Sequence, residues 1–232
     1  MNKESYIVIA VPMKEEYEAF LSQVNQNKST LVIDGIEGTT FNISNHKVFA
    51  CITGVGRVSS AFTLGKLSSS INIKLIINLG TSGSLSSKVK PLDVVIATSV
   101  SYLDVDLTTF GYKYGQMSSC PSNFESSIAK NIDVEGLKDI KVHKGLVLTA
   151  DSFMTDNSPL KEKLSLFNDP LAIDMEGGGV AQVAYKLNVP FVIVRSISDS
   201  VNSKDNTKMH EEMVNLSTKI AAKVVLTAIN QI

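Results

Sequence analysis

The stretch AIDMEGGGVAQVAYKLNVPFVIVRSISDS, from Ala172 to Ser200, decides the fold. Its first half reads as a helix over residues 175–187, opened by the acids Asp174 and Glu176. Its second half, residues 190–197, is an apolar, β-branched run that reads as a buried strand, with Asp199 at its end. Strands covered on both faces are near-continuous in apolar residues, unlike the alternating strands of half-exposed sheets. A carboxylate inside such a strand is costly. Just past its C-terminal end lies the crevice where open α/β sheets bind ligands.

The same grammar extends outward. Residues 6–11 (YIVIAV) read as a buried strand stopped by Pro12, then a helix over 13–21 with Lys14, Glu15 and Glu16 in its first turn. Acids are favoured there by the helix dipole. Residues 30–33, 39–43 and 47–53 read as a meander of short strands, and 54–56 (GVG) as a tight turn into a helix over 57–70. Residues 75–79 (LIINL) read as a strand ending in a small-residue loop at 80–84, and 93–100 as another strand. A long ordered loop over 101–121, a strand over 145–149 and a closing helix over 208–229 complete the pattern. Strands alternating with helices predict an α/β fold. The added meander predicts a mixed, partly barrel-like central sheet flanked by helices. With no linker or jump in composition, a single domain over 1–232 is expected.

Four strand-to-loop transitions, at residues 12–16, 80–84, 151–154 and 198–200, converge at one end of such a sheet. They bring together Glu16 and Asp199, the hydroxyls and amides from Thr81 to Gly83, and Phe153 with Met154; Glu176 adds a third carboxylate. Each has a plainer reading alone: Asp199 as an N-cap for the last helix, Glu176 as a dipole-satisfying acid, Glu16 as a solvated face residue, Phe153 and Met154 as core. Their coincidence at one rim favours a site. The aromatics of Phe110-Gly111-Tyr112, on a loop, call for something to cover.

The 22 basic and 23 acidic residues give a net charge of −1. There is no basic stripe, so nucleic acid and anionic membranes have no electrostatic footprint here. Two distant cysteines, Cys51 and Cys120, read as free thiols. No secretory h-region or membrane-length apolar run occurs, so a cytoplasmic protein is expected. His46, His143 and His210 lack ligand spacing, which argues against zinc, and there is no GxGxxG, P-loop or GxSxG elbow. Only two residues, Arg57 and Arg195, are arginines. Arginine grips phosphate bidentately, so a phosphorylase or kinase has little to work with.

In order along the chain, MKEE (13–16), TGVGRV (53–58), IINLGTSGSL (76–85), TTFGYKYGQ (108–116), DSFM (151–154), IDMEGGGVAQV (173–183) and VPFVIVRSISD (189–199) form a specific series. On these motifs the chain resembles the 5′-methylthioadenosine/S-adenosylhomocysteine nucleosidases of the purine nucleoside phosphorylase superfamily. The resemblance implies hydrolysis of the bond between adenine and the ribosyl thioether, with no cofactor and no metal. It implies that Asp199 delivers a proton to the purine's five-membered ring and Glu16 activates the attacking water. Glu176 with Met175 grips the ribose hydroxyls, Phe153 stacks on adenine, and the Met154 backbone reads its edge. Thr81, Ser82 and Gly83 line ribose and base; Met13, Val55 and Met175 line the alkylthio pocket; Asp174 and Ser198 complete the set. It further implies a homodimer in which Leu107, Phe110 and Tyr112 close the partner's pocket.

The chemistry agrees. Adenine leaves poorly as an anion, and protonation makes it neutral as the sugar becomes oxocarbenium-like, which is the logic of inverting glycoside hydrolysis. The chain also departs from the family pattern. Asp174 stands where Glu is usual. Gly177-Gly178-Gly179 replaces better helix formers, at up to about 1 kcal/mol per glycine relative to alanine. The aromatic that the last helix lends to the pocket is replaced by Met209, His210 or Met213. Rival expectations are a nucleoside phosphorylase, a hydrolase of another purine nucleoside, and a nucleoside-binding paralogue without turnover.

Overall fold

Strand β1 (Ser5–Val11) is buried from Tyr6 onward because both of its faces are covered. Tyr6, Val8 and Ala10 join one apolar cluster, while Ile7, Ile9 and Val11 join another on the opposite side. The period-two alternation of a strand sends successive side chains to opposite faces, so an unbroken apolar run is what a two-faced core selects. The first cluster is completed by α2 (Arg57–Ser70) and α4 (Gly177–Leu187), the second by α1 (Lys14–Leu21), α3 (Ser127–Asn131) and α5 (Asn206–Ile229). The computed structural model describes residues 3–203 and 205–232. Among these, no helix is long and apolar enough to cross a membrane, and Cys51 and Cys120 are buried free thiols.

The remaining strands are β2 (Ser29–Ile33), β3 (Ile36–Ile43), β4 (His46–Ile52), β5 (Asn72–Ser84), β6 (Val94–Tyr102), β7 (Phe124–Glu125), β8 (Val142–Thr149), β9 (Ala172–Asp174) and β10 (Phe191–Ser200). One mixed sheet joins them in the order β10-β6-β8-β9-β5-β1-β4-β3-β2, with β7 against β6. Because β10 also pairs with β5, the strands β5, β10, β6, β8 and β9 close into a ring. The meander β2–β3–β4 is antiparallel and joins through a parallel β1–β4 ladder. This is the mixed, partly barrel-like α/β sheet expected from the sequence.

Strand β5 is the hinge of the arrangement. Its first part, through Asn78, pairs with β1. Its last two residues, Gly83 and Ser84, pair with β9. Residues 79–82 have no strand neighbour on that side, and the gap opens where β1 ends. On the other side β10 follows β5 from Phe191 to Ser200, with a register shift at Ser198: Ile197 faces Ser82 and Asp199 faces Gly83. Such a bulge adds one residue and re-aims the side chains beyond it.

Three expectations need correction. The small-residue segment 80–84 is not a loop but the end of β5, because β10 pairs with it throughout. Asp199 lies within β10, and the N-cap of α5 is Asp205, so Asp199 does not cap that helix. Glu16 is 1% exposed and is no solvated face residue. The segment 101–121 is mostly irregular as expected, although β6 runs on through Tyr102 and a 3₁₀ turn spans Thr108–Phe110. The short elements β7, β9 and α3 carry too little periodicity to be read from sequence.

The glycine trio opening α4 has a packing reason. A Cβ on Gly178 would lie 2.3 Å from the Tyr102 ring, and one on Gly179 would lie 2.8 Å from the Arg57 carbonyl oxygen. The Tyr102 hydroxyl donates at 2.8 Å to the Gly178 carbonyl, locking the approach. Glycine's helix penalty is therefore exchanged for contact between α4, α2 and β6. Gly179→Ala should lower stability by about 1–3 kcal/mol, the usual cost of overpacking. Gly65→Ala, on α2 with nothing within 4 Å of its Cβ, should raise it by about 0.5–1 kcal/mol. Chemical denaturation of the two variants distinguishes the cases.

Candidate active site

Glu16 is placed by the shortness of the β1–α1 connection. It is the third residue of α1, and its Oε2 reaches back to accept a hydrogen bond from the Met13 amide at 3.2 Å. Its Oε1 accepts from the Thr81 amide at 2.7 Å and from the Thr81 hydroxyl at 2.9 Å. That amide belongs to the stretch of β5 that lacks a strand neighbour, so the carboxylate satisfies a donor the sheet leaves over. Burial pushes the Glu16 pKa up from the ordinary carboxylate value, opposed by the Thr81 donors and the charge of Arg195.

Asp199 sits two β5 residues further on, opposite Gly83, and is 1% exposed. A Cβ on Gly83 would lie 3.2 Å from its Oδ2, so the absence of a side chain there makes its space. The Ser198 hydroxyl, on the bulge, donates to Asp199 Oδ1 at 2.7 Å.

Glu176 is the N-cap residue of α4. It does not cap its own helix; its Oε1 accepts from the Gly56 amide at 2.8 Å, while Arg195 Nη2 lies 3.5 Å from its Oε2. Gly56 has φ +92°, a conformation natural to glycine, and this aims its N–H at Glu176. Burial pushes the Glu176 pKa to about 7, opposed by Arg195 and reinforced by Asp174 and Glu16. Asp174, whose shorter side chain departs from the family pattern, has its carboxylate engaged by protein donors. It accepts from Arg195 Nε at 2.8 Å, from Thr149 Oγ1 at 2.6 Å and from the Gly177 amide at 3.1 Å.

These groups surround one cavity of about 190 Å³. Met13, Glu16, Val55, Thr81, Ser82, Gly83, Phe153, Met154, Asp174, Met175, Glu176 and Asp199 all line it. Of the three candidates from the last helix, His210 lines it and Met209 and Met213 do not. Its ring meets Phe153 edge-on, with centroids 5.7 Å apart. Ser198 stands behind the wall, fully buried. Leu107, Phe110 and Tyr112 lie outside this chain's cavity. Phe110 is 76% exposed, and the Tyr112 hydroxyl bonds Ser118.

The sequence reading missed Pro12, Ser152, Ile173 and Val201 among the lining residues. The first three adjoin residues it did name, and Val201 follows Asp199 at the two-residue spacing of one strand face. The buried hydroxyls of Ser82 and Ser152 have no hydrogen-bond partner among the described residues. Buried polar groups are nearly always paired, so two open hydroxyls on a cavity wall suit a polar ligand. The arginines are committed elsewhere: Arg57 holds Asp104 through two bonds and Asp151 through a third, and Arg195 holds Asp174 and Asn78.

Residues 6–230 match the phosphorylase superfamily. The chain is 34% identical to the 5′-methylthioadenosine/S-adenosylhomocysteine nucleosidase of Buchnera aphidicola, over 99% of this chain and 91% of that one. Its fold is similar to that of such a nucleosidase from Borrelia burgdorferi bound to adenine (TM-score 0.91, 34% identity, 97% of this chain and 100% of that chain). It is also similar to the Streptococcus pneumoniae nucleosidase with a transition-state inhibitor (TM-score 0.88, 31% identity, 97% and 98%). The chain belongs to the phosphorylase superfamily and, within it, to the 5′-methylthioadenosine/S-adenosylhomocysteine nucleosidase family.

Proposed function

We propose that this protein hydrolyses the N-glycosidic bond of 5′-methylthioadenosine and S-adenosylhomocysteine, releasing adenine and the ribosyl thioether. One observation carries the reading: Glu16 and Asp199, both buried, share one cavity and are anchored to Thr81 and opposite Gly83. Both carboxyl groups thus flank the same short stretch of β5, as an acid and a water-activating base on either side of one sugar require. Asp199 protonates the five-membered ring of the purine and Glu16 deprotonates the attacking water. Glu176 and Met175 hold the ribose hydroxyls, Phe153 stacks on the base and the Met154 backbone reads its edge. Thr81, Ser82 and Gly83 line ribose and base, while Met13, Val55 and Met175 receive the alkylthio group. The similarity to structures holding adenine and a transition-state inhibitor supports the same ligand class here.

Hydrolysis rather than phosphorolysis is favoured because both arginines are engaged by carboxylates or Asn78 and neither is left to grip phosphate. Asp199→Asn and Glu16→Gln should each lower adenine release by about 10²–10⁴-fold while methylthioadenosine still binds. Chromatography of products with and without phosphate should give free sugar in both. Near-normal turnover in either variant removes that residue from the chemistry, and sugar 1-phosphate means a phosphorylase. Binding without adenine release by the wild type means a non-catalytic paralogue.

The pKa of Glu176, near 7, gives a second expectation. Ribose hydroxyls donate best to a carboxylate, so KM should rise as pH falls below about 7 and Glu176 takes up its proton. In Glu176→Gln, KM should be raised and flat across the same range. Steady-state kinetics at stepped pH reads both.

The same proposal includes a homodimer in which Leu107, Phe110 and Tyr112 close the partner's pocket. The exposure of Phe110 outside its own cavity supports it, as does the open rim at Phe153, which is 42% exposed. Light scattering should give twice the chain mass of 25.1 kDa, and Phe110→Ala should raise KM.

A further inference from the structure

His210 is the candidate from the last helix that lines the cavity, and its ring is connected to the buried acid. Ser198 Oγ lies 2.7 Å from Asp199 Oδ1 and 3.0 Å from His210 Nδ1. A hydroxyl has one hydrogen and two lone pairs. The shorter contact, to a carboxyl oxygen, takes the hydrogen. With Asp199 ionised, as it is once the purine has taken its proton, the contact to His210 closes with Nδ1–H as donor and Ser198 Oγ as acceptor. This makes a directed chain: His210 Nδ1–H to Ser198 Oγ–H to Asp199 Oδ1. Direct approach of the ring to Asp199 Oδ1 is longer, at 3.9 Å.

The chain runs from solvent to a sealed group. The Asp199 side chain is 2% exposed and that of His210 is 25% exposed. Ser198 is the residue that the β10 bulge inserts, so the bulge that aims the acid also places the bridging hydroxyl. Phe153, edge-on at 5.7 Å, steadies the imidazole. Among the described residues the charged group within 4 Å of the ring is Asp199. Lys208, Glu211 and Glu212 on the same helix are exposed, and Glu16 and Glu176 face the shared cavity.

We propose that His210 and Ser198 return a proton to Asp199 after each turnover, an inference that rests on the nucleosidase reading. Asp199 gives its proton to the purine, the bond from C1′ to nitrogen breaks, and neutral adenine leaves a carboxylate behind. The His210 imidazolium passes its Nδ1 proton to Ser198 Oγ as the Ser198 hydroxyl proton moves to Asp199 Oδ1. The ring, left neutral with its hydrogen on Nε2, regains a proton at Nδ1 from solvent once the Ser198 hydroxyl has turned back toward Asp199, which restores the chain. His210 is thus a positioning and relay residue, and Asp199 remains the group that touches the reacting base.

The test is the pH dependence of kcat on methylthioadenosine for the wild type, His210→Gln, His210→Phe and Ser198→Ala, with imidazole ¹⁵N spectra of the free protein. The wild type should show an ionisation on its basic limb, and all three variants should lose it. Near neutral pH kcat should fall about tenfold, short of the ~10²–10⁴-fold loss of a missing acid, with KM nearly unchanged. His210→Phe keeps a ring against Phe153 and so separates packing from proton supply. Combining Ser198→Ala with His210→Gln should cost no more than the worse single change. The spectra should place a hydrogen on His210 Nδ1 in the wild type when Asp199 is ionised. An active wild type whose basic limb survives in His210→Phe and Ser198→Ala overturns the relay alone. An inactive wild type overturns the nucleosidase reading together with it.

Discussion

Arg195 is a fully buried cation in the middle of a central strand, and the site is organised around its neutralisation. Removing such a charge from water costs several kcal/mol even after relaxation, and only partners of good geometry offset it. Asp174 supplies the close ion pair, Glu176 a second carboxylate at 3.5 Å, and the Asn78 side chain and the Asn78 and Val194 carbonyls accept further donors. Asn78 is itself held by its amide donating to the Ala10 carbonyl at 2.9 Å. The guanidinium therefore ties β10, β9, β5 and β1 to one another, and it fixes the start of α4 through Asp174 and Glu176. Gly80 pairs with Arg195 across the ladder. A Cβ there would come within 3.1 Å of the guanidinium and 3.3 Å of Glu16, so this glycine lets both charged groups reach the same spot.

From that anchor the cavity's carboxyl groups differ in how they are held. Glu16 is fixed by donors, two from Thr81 and one from Met13, in the strip of β5 that neither β1 nor β9 covers. Asp199 is fixed by a bulge and by the missing side chain of Gly83. Glu176 is fixed at a distance, by a left-handed glycine on another element and by the buried cation. Three carboxyl groups thus share one small cavity in three environments. The burial that raises Glu16 and Glu176 is opposed by specific donors in each case. Environments that differ in this way set like groups apart in proton affinity.

Much of this was legible from residue order. The run YIVIAV could be read as a strand because both of its faces are apolar, and the segment 57–70 as a helix because the turn GVG precedes it. The lining residues Thr81 to Gly83 and Phe153 could be named from loops following strands, Glu176 from a helix start, and Met13 from the family resemblance. Other features left no local trace. The segment GTSGS looks like a loop in isolation, because small residues suit loops; it is strand because β10 lies beside it. Three glycines look like a weak helix start until the Tyr102 ring and the Arg57 backbone are seen occupying the space of their side chains. Met209, His210 and Met213 could not be ranked, because the choice depends on how α5 is rotated against Phe153 and Ser198.

The sequence by itself determined the two-faced apolar strands, the alternation with helices, the order of the motifs and the identity of the acids. These follow from hydrophobic periodicity and residue chemistry, which are local. The tertiary structure decided the closing of five strands into a ring, the gap beside residues 79–82, the bulge at Ser198 and the burial of Arg195 among its carboxylates. Those depend on which strand lies next to which, and on groups more than a hundred residues apart competing for the same hydrogen bonds and the same volume.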